Sequence, residues 1–221
     1  QLVRSHVPDI IVSDVMMPRM NGYKLCKTIK EDINISHIPV ILLTARDDRQ
    51  SQISGYKNGA DGYLSKPFEV EMLMELIRNR LKNREYTKKR YLNAGLIPTP
   101  EESTISLTDE TFLIKLNSII QENIENSNLG IQFICQEVGL GRSSLYNKLK
   151  ALTGMGANEY ISKLRIEKAI TLISGTDMPF SEIAEKTGFT TPSYFSTAFK
   201  QYTGETPSQY KERKKKGLAG K

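Results

Sequence analysis

Three short apolar runs alternate with amphipathic stretches over the first third of the chain. Residues 9–14, 39–44 and 61–66 are short apolar runs ending in Asp14, Thr44 and Lys66, as strands buried on both faces can be. Between them, residues 21–32 and 48–58 carry helical periodicity, with Asn21 as an N-cap and Gly59 as a stop. Strands separated by helices predict an α/β doubly wound parallel sheet. Residues 69–92 read as one long helix with Met72, Leu73, Leu76, Ile77 and Leu81 on its apolar stripe. Residues 93–107, with Gly95, Pro98 and Pro100, read as a linker. A helix then runs from Thr108 to about Asn126, capped by Thr108 or Asp109. Short helices and turns follow, the longest helix being Gly156–Ser174 with Gly175 as its stop. The layout is residues 1–92 α/β, 93–107 linker, 108–213 all-α, and 214–221 a basic, frayed tail.

The all-α part contains a repeat. Ser143, Leu145, Leu149, Lys150, Thr153, Gly154 and Tyr160 recur 50 positions later as Ser193, Phe195, Phe199, Lys200, Thr203, Gly204 and Tyr210. Upstream the offset is 49, matching Ile134, Cys135 and Gly139 to Ile183, Ala184 and Gly188. Each copy reads helix, glycine-containing turn, helix and Thr-Gly stop. That is a helix-turn-helix, whose second helix can lie in a DNA major groove. Two copies predict one chain reading two successive groove segments; a duplicated helical core without a ligand is the alternative.

Composition narrows the class. With 38% hydrophobic and 25% charged residues the chain is that of a soluble globular protein long enough for two domains. The net charge of +6 is concentrated: residues 78–97 carry seven bases against one acid, and five bases lie in 211–216. This excess alone is modest for nucleic-acid binding. Cys26 and Cys135 sit in apolar periodic runs and read as buried small hydrophobes. No apolar run is long enough to span a bilayer, and no signal peptide is present. The first residue is Gln1 rather than Met, so a longer parent is expected.

Parallel sheets collect ligands at the carboxyl ends of their strands. Asp14, Thr44 and Lys66 stand at three such ends. A carboxylate, a hydroxyl and an ammonium suit phosphoryl chemistry, with the carboxylate as nucleophile and the lysine pairing with a phosphate oxygen. An aspartate at a strand end is more often a cap or turn residue; the trio is the more specific signal. The stretches Pro8–Gly22, Leu43-Thr44-Ala45 and Gly59–Phe68 resemble the receiver domain of two-component response regulators, over about residues 1–85. The resemblance implies Asp14 as phosphoacceptor, Thr44 as switch hydroxyl, Tyr63 as switch aromatic and Lys66 as phosphate-binding lysine, with a cis bond before Pro67. It also implies Mg²⁺ held by Asp14, the Met16 carbonyl and an acidic pair on a first strand. That pair is absent from this sequence, so the first β-α-β is expected to be missing and a sheet edge left open. Poor Mg²⁺ binding and poor phosphorylation follow as expectations for the fragment.

Residues 108–213 resemble the AraC/XylS-type DNA-binding domain, through Arg142–Gly154, Leu164–Ala169, Ile183–Phe189, Tyr194–Lys200 and Thr203–Tyr210. Leu145, Leu149, Phe195 and Phe199 read as core. The resemblance implies base-edge contacts from Ser143, Tyr146 and Asn147 in the first unit and from Pro192, Ser193, Ser196 and Thr197 in the second. Serine and threonine discriminate bases weakly, so Asn147 and Arg142 are expected to carry more of the direct readout. Lys148, Lys150, Lys163 and Lys200 are candidate phosphate contacts, with solvated lysines as the alternative. Arg165 is expected in an internal ion pair, with a phosphate contact as the alternative. Together the resemblances imply a cytoplasmic transcription regulator of double-stranded DNA, phosphorylated by a histidine kinase and dimerising through its receiver. The alternative is the C-terminal part of a Bacteroidetes-type hybrid sensor, a histidine kinase lying upstream in a parent anchored in the inner membrane. A free-standing regulator and a pure interaction module are further alternatives. The chain itself shows no kinase chemistry: His6 and His37 lack a phosphotransfer context and no nucleotide-binding glycine motif is present.

Overall fold

The computed structural model describes residues 2–45, 59–93 and 106–219. The helix expected over 48–58, the linker positions 94–105 and the last two tail residues lie outside the described residues. In chain order the elements are α1 (Leu2–His6), β1 (Ile11–Asp14), α2 (Gly22–Glu31), β2 (Val40–Thr44), β3 (Gly62–Ser65) and α3 (Val70–Asn93). The helices α4 (Leu107–Glu122), α5 (Ile131–Val138), α6 (Arg142–Thr153) and α7 (Ala157–Gly175) follow. After them come α8 (Phe180–Lys186), α9 (Pro192–Thr203) and α10 (Pro207–Ala219). No helix among the described residues is long and apolar enough to cross a membrane. The chain divides into two compact units, residues 1–114 with 143–154, and residues 115–142 with 155–221. This grouping departs from the sequence boundaries, because α6 and the start of α4 pack within the first unit.

The three apolar runs form one parallel sheet in the order β1-β2-β3. β2 is central, and Val40, Ile41 and Leu42 are wholly buried, which is why its sequence is apolar on both faces. β1 is an edge strand among the described residues, with Val12 exposed. Cys26, Ile29, Ile35 and Ile38 pack against Val40 and Leu42 in the core. Asn21 caps α2 as expected, its side chain accepting from Lys24 N at 2.8 Å. Cys26 is wholly buried, and burial pushes its thiol up to about 11, so it stays unreactive at neutral pH. The apolar stripe of α3 needs one correction. Leu76 packs over Gly62, but Met72 points outward with Val70 and Met74. The cap of α4 is also shifted: Ser106 Oγ accepts from Asp109 N at 3.2 Å and donates to Asp109 Oδ2 at 2.8 Å. This reciprocal pair does the work expected of Thr108 or Asp109.

His37 is 7% exposed, between α2 and β2. Burial first, then the nearby charges of Lys148, Arg84 and Lys30 against Asp109, draw its pKa from 6.5 to about 4. The unfolded chain protonates near 6.5 and the folded chain near 4, so the unfolded state binds more protons between those values. Stability is expected to fall by about 3 kcal/mol as pH drops from 7 through this window. Urea unfolding of the wild type and His37→Gln at pH 7 and pH 4.5 checks this. The variant should lose that part of the acid sensitivity.

The second unit is built on an aromatic ladder. Phe189 and Phe195 lie 5.4 Å apart, Phe195 and Phe199 5.7 Å, and Phe199 and Tyr210 5.5 Å, all in tilted or edge-on contact. Each such pair adds roughly 0.5–1.5 kcal/mol beyond burial. The repeat is preserved down to individual hydrogen bonds. Leu140 N donates to Cys135 O at 3.0 Å and Phe189 N to Ala184 O at 2.9 Å. Gly139 and Gly188 turn with φ of 72° and 71°. The second helices of the two copies, α6 and α9, each have 12 residues.

Candidate functional site

The parallel register brings the ends of β1, β2 and β3 to one edge of the sheet. Asp14 is the last residue of β1, Thr44 the last of β2, and Lys66 follows β3. The Lys66 amide donates to the Thr44 carbonyl at 2.7 Å. Its side chain reaches back across β2, and Lys66 Nζ donates to Asp14 Oδ2. Met16 N donates to Asp14 Oδ1 at 3.0 Å. The Lys66 hydrogen bond first, then that amide, hold the Asp14 carboxyl below the ordinary carboxylate range. It is thus an anion at neutral pH, partly open to solvent. Thr44 is buried, and Tyr63, opposite Leu42 in the register, is half-buried. The bond between Lys66 and Pro67 is cis. Gly22 is required here: a Cβ on it would lie 2.4 Å from the Asp14 carbonyl oxygen. Its absence lets α2 start directly behind the Asp14 turn, with Gly22 N donating to Val15 O.

On α6, Arg142, Ser143, Tyr146, Asn147 and Lys150 are exposed. On α9, Pro192, Ser193, Thr197 and Lys200 are exposed and Ser196 is half-buried. Thr191 caps α9 by accepting from Tyr194 N at 3.1 Å, and Pro192 occupies the first turn. The hydroxyls of Ser196 and Thr197 donate back to Pro192 O and Ser193 O at 3.0 and 3.1 Å. Their protons are therefore committed to their own helix. Tyr194, 54% exposed at the start of α9, is a groove-facing candidate that the sequence reading passed over.

Two lysines are corrected. Lys148 is wholly buried and paired with Asp109, so it cannot reach a phosphate in this arrangement. It sits on the inward stripe of α6 with Leu145, Leu149 and Leu152. Lys163 is also buried, 3.7 Å from Glu167 on the same helix. Arg165 is internal, but its partner is a carbonyl rather than a carboxylate. It donates to Asn126 O at 2.7 Å and lies 5.9 Å from the Phe189 ring centre.

Residues 1–78 match the response regulator receiver domain family, and residues 134–213 match a helix-turn-helix domain. A probable transcriptional regulator, ycf29, of Pyropia yezoensis is 30% identical over 162 residues, covering 68% of this chain and 73% of that protein. The chain belongs to the response regulators. It is a member that joins a receiver domain to an AraC-type helix-turn-helix domain. Histidine kinase P4 of Formosa agariphila is 42% identical over 213 residues, which is 96% of this response regulator but only 16% of that kinase. The C-terminal domain of AraT, a response regulator from Geobacillus stearothermophilus, is 31% identical over 46% of this chain and 84% of that one, with a TM-score of 0.44.

Receivers use Mg²⁺, and the residues here can be tested for it. Asp14 and the Met16 carbonyl are the candidate ligands, and both Asp14 oxygens already accept hydrogen bonds. Among the described residues no group of three or more acidic, histidine or cysteine side chains could hold a metal. Mg²⁺ requires near-octahedral oxygen ligation. One carboxylate and one carbonyl do not fit that demand by themselves.

Proposed function

We propose that this response regulator reads double-stranded DNA through α6 and α9, and that Asp14, in an intact receiver carrying the acidic pair for Mg²⁺, is the residue through which phosphorylation controls it. The observation that carries this is the Lys66–Asp14 pair at the sheet edge of a chain that also holds the duplicated helix-turn-helix. Asp14 supplies the nucleophilic oxygen, with a histidine kinase as donor. The new O–P bond forms as the N–P bond to the donor imidazole breaks. Lys66, released from the carboxylate, pairs with a phosphate oxygen. Thr44 and Tyr63 respond to the new charge, and the active form is a dimer paired through the receiver. Residues 1–221 bind Mg²⁺ weakly on this reading, because the donor set is short of oxygens.

Arg142 and Asn147 carry most of the base readout, since each can make a bidentate pair. Ser143, Tyr146, Pro192, Ser193, Ser196 and Thr197 line the two grooves, and Lys150 and Lys200 contact phosphates. The test is retention of duplexes selected by the wild-type chain from a randomised library, measured against salt. The double variant Arg142→Ala, Asn147→Ala should weaken binding to selected duplexes by roughly 10- to 100-fold and binding to bulk DNA far less. No retention of any duplex at low salt would overturn the DNA reading.

A further inference from the structure

An amphipathic reading helix normally keeps its core stripe apolar, and α6 does not. Its inward positions are Leu145, Lys148, Leu149 and Leu152, with Lys148 at 0% exposure in their middle. A buried ammonium must be compensated by partners fixed in space. Here Asp109, in the first turn of α4, supplies the opposite charge. Lys148 Nζ also donates to Ser36 Oγ at 2.7 Å and lies 5.1 Å from the centre of the Phe112 ring. Asp109 is held in turn. Ser36 Oγ donates to its Oδ1 at 2.7 Å, and Ser106 Oγ to its Oδ2 at 2.8 Å. Every group in this knot has a partner, and the carboxylate is only 2% exposed.

A leucine at position 148 would satisfy the same space with packing that tolerates a small rotation or slide of the helix. A charge pair with directional bonds does not tolerate it, which is the best-attested use of buried polar groups. The residues beside Lys148 in sequence are Tyr146 and Asn147, both exposed on the outward face. A turn of α6 about its axis by the width of one hydrogen bond would re-aim both. We infer that Asp109 is a positioning residue for DNA recognition: by pinning Lys148 it sets the rotation and register of α6, and hence where Asn147 and Tyr146 point. This rests on the DNA-reading role of α6 proposed above. Lys148 thereby affects recognition without touching DNA.

The test uses the full chain carrying Asp109→Leu with Lys148→Met, which fills the site with apolar groups of similar size, and separately Asp109→Asn, which keeps the shape and removes the charge. Two readouts are taken: amide hydrogen exchange along α6 and α9, and the ratio of affinity for wild-type-selected duplexes to affinity for poly(dI-dC). The expected result is a ratio at least 10-fold lower in both variants with the salt slope kept, with exchange in α6 near the wild-type level in the double variant and at least 10-fold faster in Asp109→Asn, and α9 unchanged in both. Unchanged exchange in α6 together with an unchanged ratio would overturn the inference. So would a lowered ratio accompanied by equal loosening of α9, which marks a general loss of structure. If the wild type selects no duplex, the DNA reading fails, while the α6 exchange result still decides whether Asp109 holds that helix.

Discussion

Gly188→Ala is expected to lower the stability of the second helix-turn-helix by about 3–5 kcal/mol, combining a strained backbone with a steric clash. Gly188 sits at φ of +71°, a left-handed conformation that costs a residue with a Cβ. A Cβ there would also lie 2.2 Å from the Ile124 carbonyl oxygen and 2.9 Å from an Arg165 guanidinium nitrogen. Neither can retreat cheaply, because the first is backbone and the second is tied to Asn126 O. Gly139 is the matched control. It holds the same place in the first copy at φ of +72°, and a Cβ on it would meet nothing within 4 Å. Gly139→Ala should therefore cost only the backbone part, about 1–2 kcal/mol. Thermal or urea unfolding of the two variants measures the difference. Equal losses would mean that the crowding at Gly188 relaxes away.

The second large effect is expected at Lys148. Lys148→Met leaves Asp109 buried without its counter-charge, and such single removals cost about 3–5 kcal/mol. Adding Asp109→Leu should return stability to the wild-type level or above, because the paired desolvation cost is removed with the pair. A urea-unfolding double-mutant cycle reads this as a large coupling term, and simple additivity of the two losses would refute it. The acid limb follows from the carboxylate. Burial pushes both members of the pair away from charge and draws the Lys148 pKa down. On Asp109, the Lys148 charge and the bonds from Lys148, Ser36 and Ser106 outweigh burial and lower its pKa. Asp109 governs, because the pair exists only while that carboxyl is ionised. Its stabilisation is complete above the ordinary aspartate value of 3.8 and is lost as pH falls through the lower folded value.

Where the sequence was informative, one period dominated. The strands were legible because β2 is buried on both faces and its neighbours are short apolar runs, β3 with alternate residues buried and β1 at the edge. The repeat was legible because its core residues and glycines sit at fixed spacing, and the structure repeats them bond for bond. Asp14 and Lys66 could be paired because strand ends in a parallel sheet share an edge. Lys148 was misplaced because a lysine on a helix usually reads as surface. The signal was present: three and four positions away along the same stripe lie Leu145 and Leu152, with Leu149 adjacent. Ser106, three positions before Asp109, was likewise a visible cap hidden by its place in the linker. Arg165 could not have been resolved, since its partner is a main-chain carbonyl, and carbonyls carry no residue identity. Met72 obeyed the helical period but lay at the margin of the stripe, where period alone does not decide burial.

The two hydroxyls of α9 that donate to their own helix present only lone pairs outward. Lone pairs meet the amino edges of adenine and cytosine and reject neither. On the proposed DNA reading, the half of the binding site assigned to α9 can then exchange adenine for cytosine at these contacts without loss, while the half assigned to Asn147 cannot. Promoters under this regulator should share a single strict box beside a permissive one. Their individual strengths would then be tuned by mutation in the permissive half alone.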